Sequence, residues 1–124
     1  MKGARILIID DEVDFCFLLG NKLEKKNYQV AFAHTLSEGF EKLSSINPAI
    51  LFLDLNLPDG SGLDAIEKVK SQYPAIKIII ISAYDSSIER SLAREARADV
   101  FFGKPFNIDI LFMALDHLLV NEKK

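Results

Sequence analysis

The sequence predicts an α/β fold, a doubly wound five-stranded parallel sheet with helices on both faces. Four short runs of residues are apolar throughout and show no strand alternation, which is typical of parallel strands covered on both sides. Helix-like segments lie between these runs, so strand and helix alternate along the chain. Such alternation over 124 residues favours one open sheet with right-handed crossovers.

Five strands and five helices are expected. The apolar runs are residues 5–9, 49–53, 77–81 and 100–102, and residues 28–33 alternate enough to indicate an edge strand. The helices are expected at residues 13–26, 36–44, 63–72, 87–95 and 108–120. Three helices begin after an oxygen-bearing residue that precedes an acidic residue by three positions, which is typical of an N-cap. These pairs are Thr35 with Glu38, Ser61 with Asp64, and Ser86 with Glu89.

Length and charge limit the possible classes of protein. The 124 residues fit a single domain, 1–124, with tails at 1–3 and 121–124. The formal net charge of −3 argues against direct nucleic-acid binding by this segment. No segment has the length of a membrane span or the pattern of a signal peptide, and the single cysteine, Cys16, cannot form an internal disulfide. A cytoplasmic location without membrane association is therefore expected.

Three aspartates lie where the first and third predicted strands end. Asp10 and Asp11 follow the first strand, and Asp54 follows the third. If the strand order is 2-1-3-4-5, these strands are neighbours at the topological switch point, so the three carboxylates meet at one edge of the sheet. Their repulsion requires a compensating cation, and Mg²⁺ prefers such oxygen ligands. For any one aspartate alone, a helix cap or a loop start is the alternative.

Two residues after the later strands suit a phosphate group. Lys104, which precedes Pro105, supplies a point positive charge, and Ser82 supplies a hydroxyl group. A lysine beside a carboxylate that accepts a phosphoryl group stabilises the added negative charge. The alternatives are a solvated surface lysine and a turn serine.

Four strings in this order, ILIIDDE, LFLDLNLPDGSGLD, IIISAY and FFGKPF, resemble the response-regulator receiver family of two-component signal transduction. The resemblance covers essentially the whole chain. It implies a flavodoxin-like (βα)5 fold with strand order 2-1-3-4-5. It also implies a phosphoacceptor that can catalyse its own phosphorylation and dephosphorylation, and not a turnover enzyme.

The resemblance further implies a role for each residue at the acidic edge. Asp54 would be the residue phosphorylated, and Asp11 would bind Mg²⁺ directly together with Asp54. The backbone carbonyl of Asn56 would complete the protein's metal ligands, and Asp10 would act through a water molecule. Lys104 would pair with the phosphoryl group. The donor would be the phosphohistidine of a sensor histidine kinase or phosphotransfer protein, or a small acyl phosphate.

A conformational switch is implied by the same resemblance. Ser82 would contact the phosphoryl group and move with the aromatic residue Phe101, which rearranges the face formed by the fourth helix, fifth strand and fifth helix. Ala83 and Tyr84 would flank the site. Phe101 replaces the tyrosine often found in the family, and Arg97 stands where many receivers have glycine. If that position requires positive φ, arginine costs roughly 1 kcal/mol relative to glycine.

Two exposed surfaces are candidates for partner binding. On the last helix, apolar residues lie not only on the face expected to cover the sheet but also along a second stripe. This second stripe suggests a homodimer or output surface, although an apolar rim without a partner is equally consistent with it. This stripe comprises Ile110, Met113, Ala114 and His117. On the first helix, Phe17 is predicted to face outward, where receivers commonly dock the phosphodonor helix. His34 and His117 are too isolated in the sequence to indicate a metal or catalytic pair.

Three other interpretations remain open from the sequence. A hydrolase of the haloacid-dehalogenase type also forms an aspartyl phosphate with Mg²⁺, but it requires a second aspartate where this chain has Asn56. A flavin carrier shares the fold, but the acidic cluster would repel the flavin phosphate. A receiver-like interaction module that is never phosphorylated is the third, and the presence of Asp11, Asp54, Ser82 and Lys104 argues against it.

Overall fold

A computed structural model describes residues 3–122, which form one five-stranded parallel sheet between two layers of helices. Its strands are β1 (Arg5–Ile9), β2 (Gln29–Ala33), β3 (Ile50–Asp54), β4 (Lys77–Ser82) and β5 (Val100–Gly103). Their order in the sheet is β2-β1-β3-β4-β5, and all neighbours are parallel. The predicted fold class and strand order are confirmed.

Five helices connect and follow the strands. They are α1 (Val13–Lys25), α2 (Leu36–Ile46), α3 (Gly62–Gln72), α4 (Ser87–Glu95) and α5 (Ile108–Glu122). Every predicted helix is present, and the last runs two residues past its predicted end. Within residues 3–122, none of these helices combines the length and the apolar character that crossing a membrane requires.

The two faces of the sheet bury separate apolar layers. Along β1, Leu7 and Ile9 pack in the layer beneath α2, α3 and α4, whereas Ile6 and Ile8 pack in the layer beneath α1 and α5. All four side chains are at most 2% exposed. Because alternate residues are buried on opposite faces, the strand sequence is apolar throughout, as the sequence pattern indicated.

The three predicted N-caps are present. In each, the side-chain oxygen of the cap accepts a hydrogen bond from a backbone N–H in the first turn of the helix. These bonds run from Glu38 to Thr35 (3.1 Å), from Leu63 to Ser61 (3.1 Å) and from Glu89 to Ser86 (3.2 Å). The helix starts were therefore readable from the sequence alone.

Arg97 keeps the left-handed backbone conformation that glycine favours, with φ of 80°. It follows the last turn of α4, where the N–H of Ala98 bonds the carbonyl of Ala93 at 3.0 Å and the N–H of Arg97 bonds that of Arg94 at 2.9 Å. This hydrogen-bond pair is a Schellman motif, which requires a left-handed residue at this position. The geometry of the α4–β5 turn is thus retained despite the arginine.

Candidate functional site

An acidic cluster lies at the carboxyl edge of the sheet. In the β1–β3 pairing, Ile9 lies opposite Leu53, so the residues that follow them, Asp10 and Asp54, are neighbours. Carboxylate oxygens of Asp10, Asp11 and Asp54 all lie within 4.8 Å of one another. The structure therefore brings together the three aspartates that the sequence placed at strand ends.

Two members of this cluster are shielded from water. Asp10 is fully buried and Asp54 is 6% exposed, whereas Asp11 is exposed. Burial raises the pKa of Asp54 to about 6, although a hydrogen bond from the Asn56 N–H opposes the shift. Burial also raises the pKa of Asp10. Ionising these carboxyl groups together is unfavourable because their charges repel, and an added positive charge would reduce that repulsion.

Lys104 supplies one positive charge to the cluster. Its Nζ lies 2.8 Å from Asp10 Oδ2 and 2.5 Å from Glu12 Oε1, and its side chain is 12% exposed. Burial lowers the pKa of Lys104, whereas the hydrogen bonds to the two carboxylates raise it. The hydrogen bonds and the nearby negative charges together outweigh burial, so the net shift of the pKa is upward. Glu12 was not assigned to the site from the sequence, although its place in the acidic run DDE was a usable signal.

The segment after Asp54 folds back on itself, and its end lies close to Asp54. Asn56–Leu57 and Gly60–Ser61 form a short antiparallel ladder that the sequence did not predict. The N–H of Asn56 donates to Asp54 Oδ1 at 3.1 Å. At Gly62, a Cβ atom would lie 2.5 Å from the Asp54 carbonyl oxygen, so only glycine allows α3 to start this close to the site.

Ser82 and Lys104 occupy the neighbouring strand ends. Ser82 is fully buried, and its hydroxyl oxygen accepts a hydrogen bond from the N–H of Tyr84 at 3.0 Å. The N–H of Lys104 donates to the Ser82 carbonyl at 2.7 Å, which ties the two segments together. Ala83 and Tyr84 are both exposed beside the site. The structure thus places these predicted residues at the same edge as the aspartates.

Phe101 lies half-buried in β5 at the junction with α4. The guanidinium carbon of Arg90 is 4.8 Å from the centre of its ring, a cation–π contact. Arg90 also forms a two-bond ion pair with Asp85 in the β4–α4 loop, with distances of 2.5 Å and 3.0 Å. The predicted switch aromatic is therefore covered by a side chain that the sequence did not single out.

The predicted partner residues are exposed, except Ala114, which is half-buried. Phe17 on α1 is 65% exposed, and on α5 Ile110 is 55% and Met113 is 70% exposed. His117 is exposed on the same helix. The opposite faces of both helices pack in the apolar layer between these helices and the sheet.

The donor set fits Mg²⁺. The clustered carboxylates supply hard oxygen atoms, and the adjoining Asn56 segment adds backbone carbonyls next to Asp54. Mg²⁺ is bound in proteins through one or two carboxylates and retains waters that a phosphate oxygen displaces. The residues present can therefore hold this ion.

Comparison with known proteins defines the family. The family model for the response regulator receiver domain matches residues 6–116. The chain belongs to the response regulator receiver family. The KDP operon transcriptional regulatory protein KdpE of Escherichia coli is 34% identical over 105 residues, which are 85% of this chain and 46% of that protein. This receiver chain spans about half the length of the curated relatives it matches.

Solved structures agree with the receiver assignment. A response regulator receiver domain protein (CheY-like) from Methanospirillum hungatei has a TM-score of 0.91 at 29% identity, covering 97% of this chain and 96% of that one. A response regulator from Burkholderia pseudomallei, described with a phosphorylated aspartic acid, calcium ion and citrate, has a TM-score of 0.85 at 28% identity. It covers 91% of this chain and 66% of that one.

Proposed function

We propose that this receiver domain accepts a phosphoryl group on Asp54 in a Mg²⁺-dependent reaction. The donor is the phosphohistidine of a sensor histidine kinase or phosphotransfer protein, and small acyl phosphates substitute for it. The observation that carries the proposal is a buried Asp54 within 4.8 Å of two further carboxylates, with Lys104 on the same edge. This proposal places the domain in the cytoplasm, where ATP-dependent kinases form phosphohistidine.

In the proposed reaction, one oxygen of Asp54 attacks the phosphorus atom. The bond from phosphorus to the donor's imidazole nitrogen breaks, the electron pair stays on that nitrogen, and an acyl phosphate remains on Asp54. Oδ1 of Asp54 already accepts the N–H of Asn56, so we assign Oδ2 as the nucleophile. Catalysis of such a transfer depends mainly on placed charges, which is the feature this edge provides.

The proposed metal ligands are the Asp11 and Asp54 carboxylates and the backbone carbonyl of Asn56, with Asp10 acting through a water molecule. Mg²⁺ would neutralise the charge that develops on the phosphoryl oxygens. Lys104, now paired with Asp10 and Glu12, would pair with the phosphoryl group once it is attached. The same arrangement would make the domain a phosphoacceptor that promotes its own phosphorylation and dephosphorylation, with Asn56 and Tyr84 flanking the approach of the hydrolytic water and Ala83 flanking the site.

The proposed output is a shift of the α4-β5-α5 face. The Ser82 hydroxyl would leave the N–H of Tyr84 for a phosphoryl oxygen, and Phe101 would turn inward from beneath Arg90. Ile110 and Met113 stand exposed on this face, which supports a homodimer or an output partner there. If Met113→Glu changes the solution mass neither with nor without beryllofluoride, a dimer formed through this surface is excluded.

Phosphodonor docking is proposed on α1. Phe17 is exposed on this helix, with its ring 6.5 Å from that of Phe32 in β2. A separate groove of about 480 Å³, which Phe17 does not line, lies between α1 and the segment after β5. The apolar side chains lining the groove include Phe15, Leu18 and Phe106. Transfer from the cognate phosphohistidine protein should slow in Phe17→Ala, while phosphorylation by acetyl phosphate should not. Equal transfer rates for Phe17→Ala and wild type would rule out this role.

Intact-mass analysis tests the central proposal. Incubation with acetyl phosphate and Mg²⁺ should add one phosphoryl mass to the wild-type chain, and chelation of Mg²⁺ should prevent it. Asp54→Asn should show no adduct, whereas Asp109→Asn, which alters an exposed aspartate on α5, should match wild type. An adduct of equal yield in Asp54→Asn would overturn the assignment. Rapid release of many equivalents of phosphate would instead indicate a hydrolase.

A further inference from the structure

Both loops that carry the acidic cluster are bound to one turn, the β2–α2 turn (residues 34–37). The β1–α1 loop supplies Asp10 and Asp11, and the β3–α3 loop follows Asp54 and supplies Asn56. The two loops approach the turn from different strands. Each is held by a side-chain contact that the sequence did not reveal.

His34 holds the first loop. Its Nδ1 lies 2.8 Å from the backbone carbonyl oxygen of Asp10, and because a carbonyl only accepts, Nδ1 carries the hydrogen. The Cys16 thiol lies 3.4 Å from the same oxygen, and burial raises the pKa of Cys16 to about 12, so it keeps its proton. The N–H of Asp10 donates to Ala33 at 3.0 Å, so both backbone groups of Asp10 are engaged. Glu38 in turn accepts the N–H of His34 at 2.7 Å.

Asp59 holds the second loop. Its two carboxylate oxygens accept the backbone N–H groups of Leu36 and Ser37, at 2.8 Å and 3.0 Å. These are the first two residues of an 11-residue helix, where free N–H groups and the helix dipole favour a carboxylate. The hydrogen bonds from Leu36 and Ser37 lower the pKa of Asp59, so the carboxylate stays ionised at neutral pH.

Helix α2 is itself seated against the site. At Gly39, a side chain would collide with Ile9, the last residue of β1 and the neighbour of Asp10. The helix thus starts where β1 ends, and its position is set by core packing. A contact between a loop and this helix therefore fixes the position of the loop relative to a rigid part of the sheet.

We propose that the β2–α2 turn is the positioning element of the phosphoacceptor site, in which His34 sets the Asp10–Asp11 loop and Asp59 sets the loop that contains Asn56. The inference rests on the proposed function. The carboxylates repel one another before a cation binds, which favours separation of the two loops. Joining both loops to one turn opposes that separation and keeps the ligands at the spacing the ion needs. His34 and Asp59 are positioning residues because neither belongs to the cluster itself.

The test compares substitutions that remove a contact with substitutions that retain it. His34→Ala and Asp59→Ala should each weaken Mg²⁺ binding about tenfold by isothermal titration calorimetry, the loss typical of outer-shell partners. His34→Asn places an amide donor near the position of Nδ1 and should recover most of the affinity, whereas His34→Gln, which mimics Nε2, should not. Asp59→Asn retains an acceptor oxygen and should lose less than Asp59→Ala.

A second measurement needs no metal. In the Mg²⁺-free protein, hydrogen exchange at the Glu12 amide should accelerate in His34→Ala, because that N–H is bonded to Asp10 Oδ1 at 2.9 Å. Exchange at the Asn56 amide should accelerate in Asp59→Ala. Each substitution should affect its own loop more than the other. Equal acceleration of both amides by each variant would indicate general loosening of the domain and overturn the inference.

Ser86→Ala is the matched control, since it removes the cap of another helix, α4, but neither loop contact. It should retain wild-type Mg²⁺ affinity despite a lower melting temperature. The inference fails if Ser86→Ala weakens binding as much as His34→Ala, or if folded His34→Ala and Asp59→Ala both bind Mg²⁺ like wild type. A wild-type chain that binds Mg²⁺ but gives no acyl phosphate would overturn the proposed function alone. A wild-type chain that binds no Mg²⁺ would overturn both.

Discussion

Two lysine–aspartate pairs in this domain have the same length and opposite surroundings. Lys104 Nζ lies 2.8 Å from Asp10 Oδ2, and Lys70 Nζ lies 2.8 Å from Asp99 Oδ2. Around Lys104 the carboxylates outnumber the ammonium group, because Asp11, Asp54 and Glu12 adjoin the same pair. The geometry of the ion pair alone therefore does not distinguish a site from a structural link.

The second pair is closed by backbone groups. Lys70 also donates to the Ile76 carbonyl at 3.0 Å, and the same Asp99 oxygen accepts the N–H of Ile78 at 2.8 Å. One ammonium meets one carboxylate, and this joins α3 to the α4–β5 turn. A charge-balanced pair that also bonds the backbone stabilises a fold, whereas an excess of buried carboxylate marks a place where another cation or a reaction is needed.

Removing the cation of the first pair should produce the largest effect. Lys104→Met should slow phosphorylation by acetyl phosphate at saturating Mg²⁺ by a hundred- to a thousandfold, or about 3 to 4 kcal/mol, because the transition state loses a placed charge. Quench-flow with intact-mass detection measures the rate. Lys104→Arg keeps the charge and should retain more activity. A wild-type rate in Lys104→Met would remove Lys104 from the mechanism.

Breaking the second pair should affect stability and not chemistry. Asp99→Ala leaves the Lys70 ammonium, which is 9% exposed, without its carboxylate and should lower the free energy of unfolding by about 3 kcal/mol. Urea denaturation measures this loss. Lys70→Met, which removes the buried charge, should cost less. If Asp99→Ala raises the activation free energy of phosphorylation by more than it lowers the free energy of unfolding, the two pairs do not have the separate roles proposed.

The raised pKa of Asp54 predicts an unusual dependence of stability on pH. The folded carboxyl keeps its proton up to about pH 6, whereas the unfolded one releases it near 3.8, so the folded state binds more protons in between. The contribution of Asp54 to the stability of the Mg²⁺-free domain therefore falls as pH rises through this window, by about 2 kcal/mol between pH 4.5 and 7.5.

Comparison with Asp54→Asn isolates the contribution of Asp54 together with its coupling to Asp10 and Lys104, because titrating groups remote from Asp54 cancel. The variant should gain stability relative to wild type as pH rises, and Mg²⁺ should restore wild type above pH 6. Urea denaturation at several pH values with chelator measures the difference. A difference that does not change with pH would show that Asp54 ionises without penalty.

The smallest predicted effect concerns the turn that carries Asp99. Arg97→Gly should raise the free energy of unfolding by about 1 kcal/mol, because φ of 80° strains a residue with a side chain. Thermal and urea denaturation measure it, with Arg94→Gly, a helical position in the last turn of α4, as a control that should destabilise. Phosphorylation should be unchanged by Arg97→Gly. Lower stability in Arg97→Gly would mean that the arginine side chain contributes more than its backbone costs.

Most of the site was predictable because it is attached to strand ends. Asp10, Asp54 and Ser82 each follow or end an apolar run, and parallel strands bring such residues to one edge. The contacts of His34 and Asp59 were not predictable. Each bridges two loops, and neither the residue type nor its spacing specifies which loop it meets. His34 was set aside as isolated, but it contacts the Asp10 carbonyl at 2.8 Å.

The sequence by itself determined the alternation of elements, the helix caps and the residues available at each strand end, because these depend on periodicity and local hydrogen bonding. Tertiary structure alone decided how deeply Asp54 is buried, that Arg90 covers Phe101, and that one turn holds both acidic loops. Burial and charge excess arise only when segments distant along the chain pack together. The local pattern therefore supplies the reacting groups, and the packed fold sets their energies.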